Sequence, residues 1–124
     1  MRKAAAIGLL SSLALVQGAV AGNQRLSVRV SPAVAVAPAS LTVRAFVEPD
    51  EANRALTILV SSPRYERASE VPLDGKQSLR VNVFELRELP PGLYDITATL
   101  VGSTGRLARA TQVVKIVPSP GHSE

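Results

Sequence analysis

The 124-residue sequence has no cysteine and no tryptophan, and it contains a single histidine. Without cysteine the chain has no disulfide framework and no thiol nucleophile. Zinc and copper sites are built mainly from cysteine and histidine, so the sequence lacks their usual ligands. We therefore expect no cofactor and no metal centre of these kinds, and a fold held by its hydrophobic core alone.

Aromatic residues are also scarce, with two tyrosines and two phenylalanines. Proteins that bind single-stranded nucleic acid combine a basic groove with aromatic rings on which the bases stack. Here ten carboxylates are interspersed among the basic residues, and no basic stripe results. We expect no nucleic-acid partner. Stacking on sugar rings is disfavoured for a similar reason, because Tyr65 is the one aromatic ring that we expect to be exposed.

The N-terminus carries the three parts of a secretory signal peptide. Arg2 and Lys3 form a basic start, an apolar run covers residues 4–16, and Ala19-Val20-Ala21 offers the small residues that signal peptidase recognises. The apolar run is shorter than the about 20 residues that span a bilayer, which disfavours a retained membrane helix. The sequence predicts a signal peptide over residues 1–21. We expect a periplasmic or secreted bacterial protein with no membrane span after cleavage.

Beyond residue 21 the apolar residues follow a period of two, which is typical of β-strands. Turn signals such as Leu73-Asp74-Gly75 and Pro90-Pro91-Gly92 separate the alternating runs. The pattern predicts one all-β domain over residues 22–117, followed by a disordered tail over 118–124. About seven strands in a chain of this size indicate an antiparallel β-sandwich of the immunoglobulin-like type.

The alternation also assigns one side of each strand to the core. A slip of one residue would bury an arginine such as Arg44 or Arg80, which is costly enough to fix the register. The positions predicted to face inward are Leu26, Val28, Val43, Val47, Leu56, Ile58, Val60, Leu79, Val81, Val83, Ile96, Ala98, Leu100, Val114 and Ile116.

The segment LPPGLYDITATL, residues 89–100, resembles the E–F corner and F strand of fibronectin type III and bacterial immunoglobulin-like domains. In those domains a leucine and a Pro-Gly turn precede a tyrosine whose hydroxyl bonds to nearby backbone. The resemblance is carried by Leu89, Gly92, Tyr94, Ile96 and Ala98. It implies structural roles for Tyr94 and Gly92. The cysteine pair and core tryptophan of antibody domains are missing, which leaves the subtype of the fold open.

The sequence does not show the combination of histidine, nucleophile or paired carboxylates that catalysis would need. His122 lies in the Pro-, Gly- and Ser-rich end VPSPGHSE, where nothing holds it against a nucleophile. Carboxylate pairs at Glu66 with Glu70 and at Glu85 with Glu88 lack the cleft and aromatic platforms of glycoside hydrolases. We predict no catalytic residue and a protein that is not an enzyme.

The best contact patch in the sequence is the stretch SSPRYERASE, with Arg64, Tyr65 and Arg67. Arginine and tyrosine dominate binding hot spots, although charge also protects the edges of sheets from unwanted pairing. A second candidate is the final strand, residues 111–117, if it lies at an edge. We predict a non-catalytic exported module that binds an unidentified protein of the bacterial envelope.

A ligand-binding module for glycan or calcium is the alternative. Tyr65 is the candidate for sugar, and the loop at residues 48–53 is the candidate for calcium. That loop contains Glu48, Asp50, Glu51 and Asn53, but it lacks the ligand spacing of the calcium-binding EF-hand.

Overall fold

A computed structural model of the chain describes residues 21–22 and 25–120. These residues form nine strands and one short 3₁₀ helix at Gly75–Gln77, so the prediction of an all-β protein is confirmed. Two of the strands have only two and three residues, which accounts for the difference from the predicted number. The strands are β1 Ala21–Gly22, β2 Leu26–Ser31, β3 Val34–Val36, β4 Ala39–Val47, β5 Asn53–Ser62, β6 Tyr65–Pro72, β7 Val81–Leu89, β8 Gly92–Gly102 and β9 Gly105–Val117.

The strands form two sheets that pack on a common core. Sheet 1 has the order β1-β2-β4-β7, and sheet 2 has the order β3-β9-β8-β5-β6. Neighbouring strands are antiparallel except β3 and β9, which are parallel. The arrangement is therefore a β-sandwich, with β7 and β6 as the long outer strands.

The chain passes from sheet 1 to sheet 2 between β2 and β3. At this point the side chain of Gln112 on β9 replaces a neighbouring strand. Its Oε1 accepts a hydrogen bond from the Val30 N–H at 3.0 Å, and its Nε2 donates to the Val30 carbonyl oxygen at 3.3 Å. One side chain thus satisfies both backbone groups of a buried residue and ties the two sheets together.

The core contains the inward-facing residues of both sheets. On β2, β4, β5, β8 and β9 every position that the alternation assigned to the core is buried. The largest fully buried side chain is Tyr94, and the cluster around it includes Leu26, Leu41, Leu56 and Ile96. Each such aliphatic side chain contributes about 1.5–3 kcal/mol relative to an exposed one, so these five strands fix the sandwich.

Strand β7 has the opposite register to the one predicted. Leu79, Val81 and Val83 are 70%, 45% and 53% exposed, whereas Asn82 and Leu86 are buried. A shift of one residue exchanges the two faces of a strand, and both alternations here contain apolar residues. The observed register is favoured because it buries Leu86, and Asn82 Nδ2 donates to the Leu79 carbonyl oxygen at 3.1 Å. The irregularity near Glu88, where the pairing with β4 shifts, turns Leu89 inward as well.

The predicted signal peptide lies outside the described residues, apart from Ala21, and the predicted tail is described only as far as Pro120. Among the residues that are described, no helix has the length and apolar character needed to cross a membrane.

Candidate functional site

The predicted contact residues lie together at the turn between β5 and β6. Ser62 pairs with Tyr65 across this turn, and Arg64 occupies it. The side chains of Arg64 and Arg67 are exposed. Tyr65 is only half-exposed, because its ring packs edge-on against Tyr94 with the ring centroids 5.9 Å apart. Beside the turn, a cavity of about 320 Å³ is lined by residues that include Pro63, Arg64, Pro91 and Leu93.

Tyr94 is completely buried below this turn. Its hydroxyl donates a hydrogen bond of 2.6 Å to the carbonyl oxygen of Pro90, four residues upstream, which is the geometry of a tyrosine corner. Burial raises the pKa of the Tyr94 hydroxyl, a hydrogen bond with Ser62 opposes that shift, and the nearby Tyr65 adds to it. The neighbouring Gly92 has a φ of 152°, a conformation that favours glycine. These two residues shape the loop between β7 and β8.

The loop at residues 48–53 is held by hydrogen bonds of its own. Asp50 Oδ1 accepts from the Ala52 N–H at 2.8 Å, and Asp50 Oδ2 lies 3.6 Å from the Arg25 guanidinium. Asn53 Nδ2 donates to the Glu48 carbonyl oxygen at 2.9 Å, and Asn53 Oδ1 is buried without a hydrogen-bond partner in the described part of the chain. Within residues 25–120 no three acidic or histidine side chains gather as metal ligands would.

A cavity of about 600 Å³ lies at the end of the sandwich where β7 leads into β8. Its lining consists largely of prolines, with Glu88 as its single ionisable residue: Ala37, Pro38, Glu88, Pro90, Pro91, Pro118 and Ser119. Acid–base chemistry needs a second group positioned against the first. The lining provides one carboxylate and apolar walls.

Strand edges differ in how well they are protected. The final strand β9 lies between β3 and β8 in sheet 2, but β3 pairs only with Lys115, Ile116 and Val117, and the Gln112 side chain bonds to Val30 beyond that pairing. The end of the candidate segment 111–117 is therefore covered by β3. Strand β6 is a free edge, but it carries Glu66, Arg67 and Glu70. Charged residues of this kind discourage pairing with another chain.

Strand β7 is the other long free edge, and its first half lacks such protection. Residues 81–84 read Val-Asn-Val-Phe, without a charge or a proline. Val81 and Val83 project from the outer face of sheet 1, where Val81 pairs with the half-buried Phe46 and Val83 pairs with the exposed Arg44 of β4. Leu79 precedes them and is also exposed. Apolar side chains are also exposed on the outer face of sheet 2, at Val34, Val36, Leu93 and Val113. There Lys115 pairs with both Val34 and Leu93 and divides the group.

The β7 surface is the feature that sequence reasoning missed. The alternation of Leu79, Val81 and Val83 was visible, but it was assigned to the core. One local signal was available, because Phe84 and Leu86 offer a competing apolar face in the same segment. The sequence pattern alone does not decide which face a neighbouring sheet covers.

Comparison with solved structures shows that the fold is similar to that of an enzyme. The chain is similar to a superoxide reductase (neelaredoxin) from Ignicoccus hospitalis, with a TM-score of 0.59 and 16% sequence identity, over 82% of this chain and 85% of that one. A variant of the same protein gives the same values. The prediction that the chain is not an enzyme is contradicted by these neighbours, because an enzyme is built on this fold. At this identity the similarity shows the fold alone.

A second similar structure is a family 76 glycoside hydrolase from a bovine Bacteroides thetaiotaomicron strain, with a TM-score of 0.51 and 14% identity over 78% of this chain and 20% of that one. A CARDB domain from Pyrococcus furiosus in complex with di-metal ions covers 80% of this chain at 18% identity, with a TM-score of 0.46. No protein-family model matches the sequence, and no curated protein matches it significantly.

Proposed function

We propose that the chain is an exported β-sandwich that works by binding another protein through strand β7. The observation that carries the proposal is the free edge of sheet 1, with Val81 and Val83 exposed along it and Leu79 beside it. Grouped apolar side chains on a soluble domain mark interaction sites, and an unprotected edge strand is ready to pair with another strand. Fold alone does not set function, so the proposal rests on this surface.

Export is the second part of the proposal. The basic start, the apolar run over residues 4–16 and the Ala19-Val20-Ala21 sequence support a signal peptide that is removed after Ala21. A protein delivered in this way reaches the periplasm or the medium. We accordingly propose that the partner is a protein of the bacterial envelope.

An immunoglobulin-like subtype of the sandwich is also part of the proposal. Two features support it: the chain switches sheets between β2 and β3, and the Tyr94 hydroxyl bonds to the Pro90 carbonyl oxygen at the β7–β8 corner. In a fibronectin type III-like arrangement the loops cluster at the two ends of the sandwich, whereas the β7 edge runs along its side.

The turn patch of Arg64, Tyr65 and Arg67 remains a second proposed contact surface. Its two exposed arginines and the neighbouring cavity support it. Tyr65 adds less than its residue type suggests, because much of its ring is used against Tyr94. The two surfaces make separable predictions.

Site-specific photocrosslinking in the native host tests the proposal. A photoreactive residue is placed at Val83, at Arg64 or at Val113, which is as exposed as Val83 but lies on β9 inside sheet 2. We expect a discrete envelope-protein adduct from position 83 and none from position 113. Adducts from position 64 instead would move the contact to the turn patch. Equal labelling from all three positions, or none from any, would refute a specific contact surface.

A further inference from the structure

The phase of the sheet 1 ladder determines which backbone groups of β7 are free. The Val47 N–H donates to the Arg80 carbonyl oxygen at 2.8 Å. Hydrogen-bonded residues alternate along an antiparallel pair. Asn82 and Phe84 therefore direct their N–H and C=O groups to β4, whereas Val81 and Val83 direct theirs to the open side, where the described chain places no strand.

Only the first half of β7 is regular enough to accept another strand. The pairing of β4 with β7 shifts register between Ala39 and Leu41, and Glu88 has a φ of 57°. That irregularity bends the far end of the edge. The segment from Val81 to Leu86 pairs with β4 without a register shift, and its other side is open.

We propose that a second copy of the chain occupies this edge, with the two β7 strands antiparallel and Asn82 of each copy at the two-fold axis. In this register Val81 lies opposite Val83 of the second copy, and Val83 lies opposite Val81. Both valines present free N–H and C=O groups, so the two pairs exchange four backbone hydrogen bonds. Pairs of β-branched residues directly opposite each other stabilise a sheet. The inference rests on the proposed function in that it uses the same edge.

Charge disfavours the registers that are centred further along β7 than Asn82. With Asn82 at the centre, Arg80 lies opposite Phe84 of the second copy, and no charged residue of this segment meets one of like sign. The arginine can also lie against the partly exposed phenylalanine ring. A register centred two residues further along places Val83 opposite Glu85, and one centred on Glu85 opposes that residue to itself. The valine-rich segment is therefore complementary to a second copy of itself, as a two-fold interface requires.

Sedimentation of the purified chain over a range of concentrations tests the association. A strand-edge contact is small, so we expect a weak dimer whose fraction rises with protein concentration. Val83→Lys adds a charge at the edge and should raise the dissociation constant about tenfold or more. Val113→Lys is the matched control on the other sheet and should leave it unchanged. A chain that stays monomeric at all concentrations, or a dimer insensitive to Val83→Lys, would overturn the proposal.

Single cysteines test the register, because the natural chain has none. Directly opposite residues that exchange hydrogen bonds have Cα atoms about 5.5 Å apart, within disulfide range. The two Val83 positions are diagonal neighbours at about 7–8 Å, beyond that range. A mixture of the Val81→Cys and Val83→Cys chains should therefore form a disulfide-linked dimer under mild oxidation, and neither variant alone should do so efficiently. Efficient crosslinking of Val83→Cys alone would overturn the Asn82-centred register.

The photocrosslinking at Val83 separates this inference from the proposed function. A monomeric chain that still labels an envelope protein from that position would overturn the second copy as occupant and keep β7 as a binding edge. Labelling of a second copy of the chain from position 83 would support the second copy as the occupant and would overturn a different envelope protein as the partner of β7. With the probe at Val81, Val83→Lys should abolish that labelling.

Discussion

Replacing Tyr94 with phenylalanine removes one hydroxyl and leaves the packing of the ring in place. The hydroxyl donates a 2.6 Å hydrogen bond to the Pro90 carbonyl oxygen from an otherwise buried side chain. A neutral hydrogen bond contributes about 0.5–1.5 kcal/mol net to folding. Because Pro90 is partly exposed, water can reach its carbonyl group in the variant. We expect Tyr94→Phe to lower the free energy of unfolding by about 1 kcal/mol.

The same variant changes how stability depends on alkaline pH. The pKa of Tyr94 in the folded chain is raised above its ordinary value of 10.0, chiefly by burial. Below pH 10 the hydroxyl is protonated in both the folded and unfolded chains, and its contribution is complete. As the pH rises through 10, the unfolded chain loses this proton first, so the free energy of unfolding falls until the folded chain also titrates. The slope from one group is at most about 1.4 kcal/mol per pH unit.

Urea denaturation at pH 7 and at several values between pH 9 and pH 11 measures both effects. Tyr65→Phe is the matched control, since it makes the same chemical change on the half-exposed neighbouring ring. We expect Tyr94→Phe to be less stable than the parent at pH 7, with the difference shrinking above pH 10. An unchanged stability at pH 7, or an equal fall with pH in the parent and the variant, would refute the structural role assigned to this hydroxyl.

Three further substitutions test the fold. Asn53→Ala removes a buried amide whose Nδ2 donates to the Glu48 carbonyl oxygen and to Ser78 Oγ, and should cost about 1–3 kcal/mol in chemical denaturation. Gln112→Ala leaves both backbone groups of Val30 unsatisfied where the chain changes sheets, and should cost about 1–3 kcal/mol by the same measurement. Gly102→Ala would place a methyl group 2.8 Å from Leu107 Cδ1, so we expect thermal unfolding to show a loss of about 1–3 kcal/mol.

Controls for these variants come from exposed positions. Gln77→Ala makes the same change as Gln112→Ala on an exposed side chain and should be nearly neutral. Ser103→Ala, next to Gly102, should likewise leave the melting temperature unchanged. If Gln112→Ala lowered the free energy of unfolding no more than Gln77→Ala, the hydrogen bonds between Gln112 and Val30 would not contribute to stability. An Asn53→Ala chain as stable as the parent would show that water satisfies the Glu48 carbonyl group equally well.

The edge strand explains the main error of the sequence reading. On β8, Ile96, Ala98 and Leu100 alternate with polar residues, and one arrangement buries far more apolar area than the other. On β7 both arrangements bury apolar side chains, because Val81 and Val83 compete with Phe84 and Leu86. An outer strand is covered less completely by the opposite sheet, so the energy difference between its two registers is small.

For the contact residues too, the sequence predicted some features and not others. Exposure of Arg64 and Arg67 follows from their charge, which is costly to bury. The half-buried state of Tyr65 does not follow from its neighbours in sequence, because the ring that covers it, Tyr94, is 29 positions away. The prediction that the chain is not an enzyme is contradicted on other grounds: it rested on catalytic groups that the sequence does not bring together, whereas the chain is similar in fold to a superoxide reductase.

The sequence by itself determined that the chain is built of strands, since a period of two places apolar side chains on one face of a sheet and leaves no amphipathic helix. It also determined the core faces of five strands. A slip would bury a charged residue in β2, β4, β8 and β9, and in β5 it would replace Leu56, Ile58 and Val60 with a face that contains Thr57 and Ser61. The tertiary structure alone decided which strands lie at the edges and which face of β7 is open. Those features depend on hydrogen bonds between segments that are far apart in the chain. A local sequence pattern does not predict which strand is left without a neighbour.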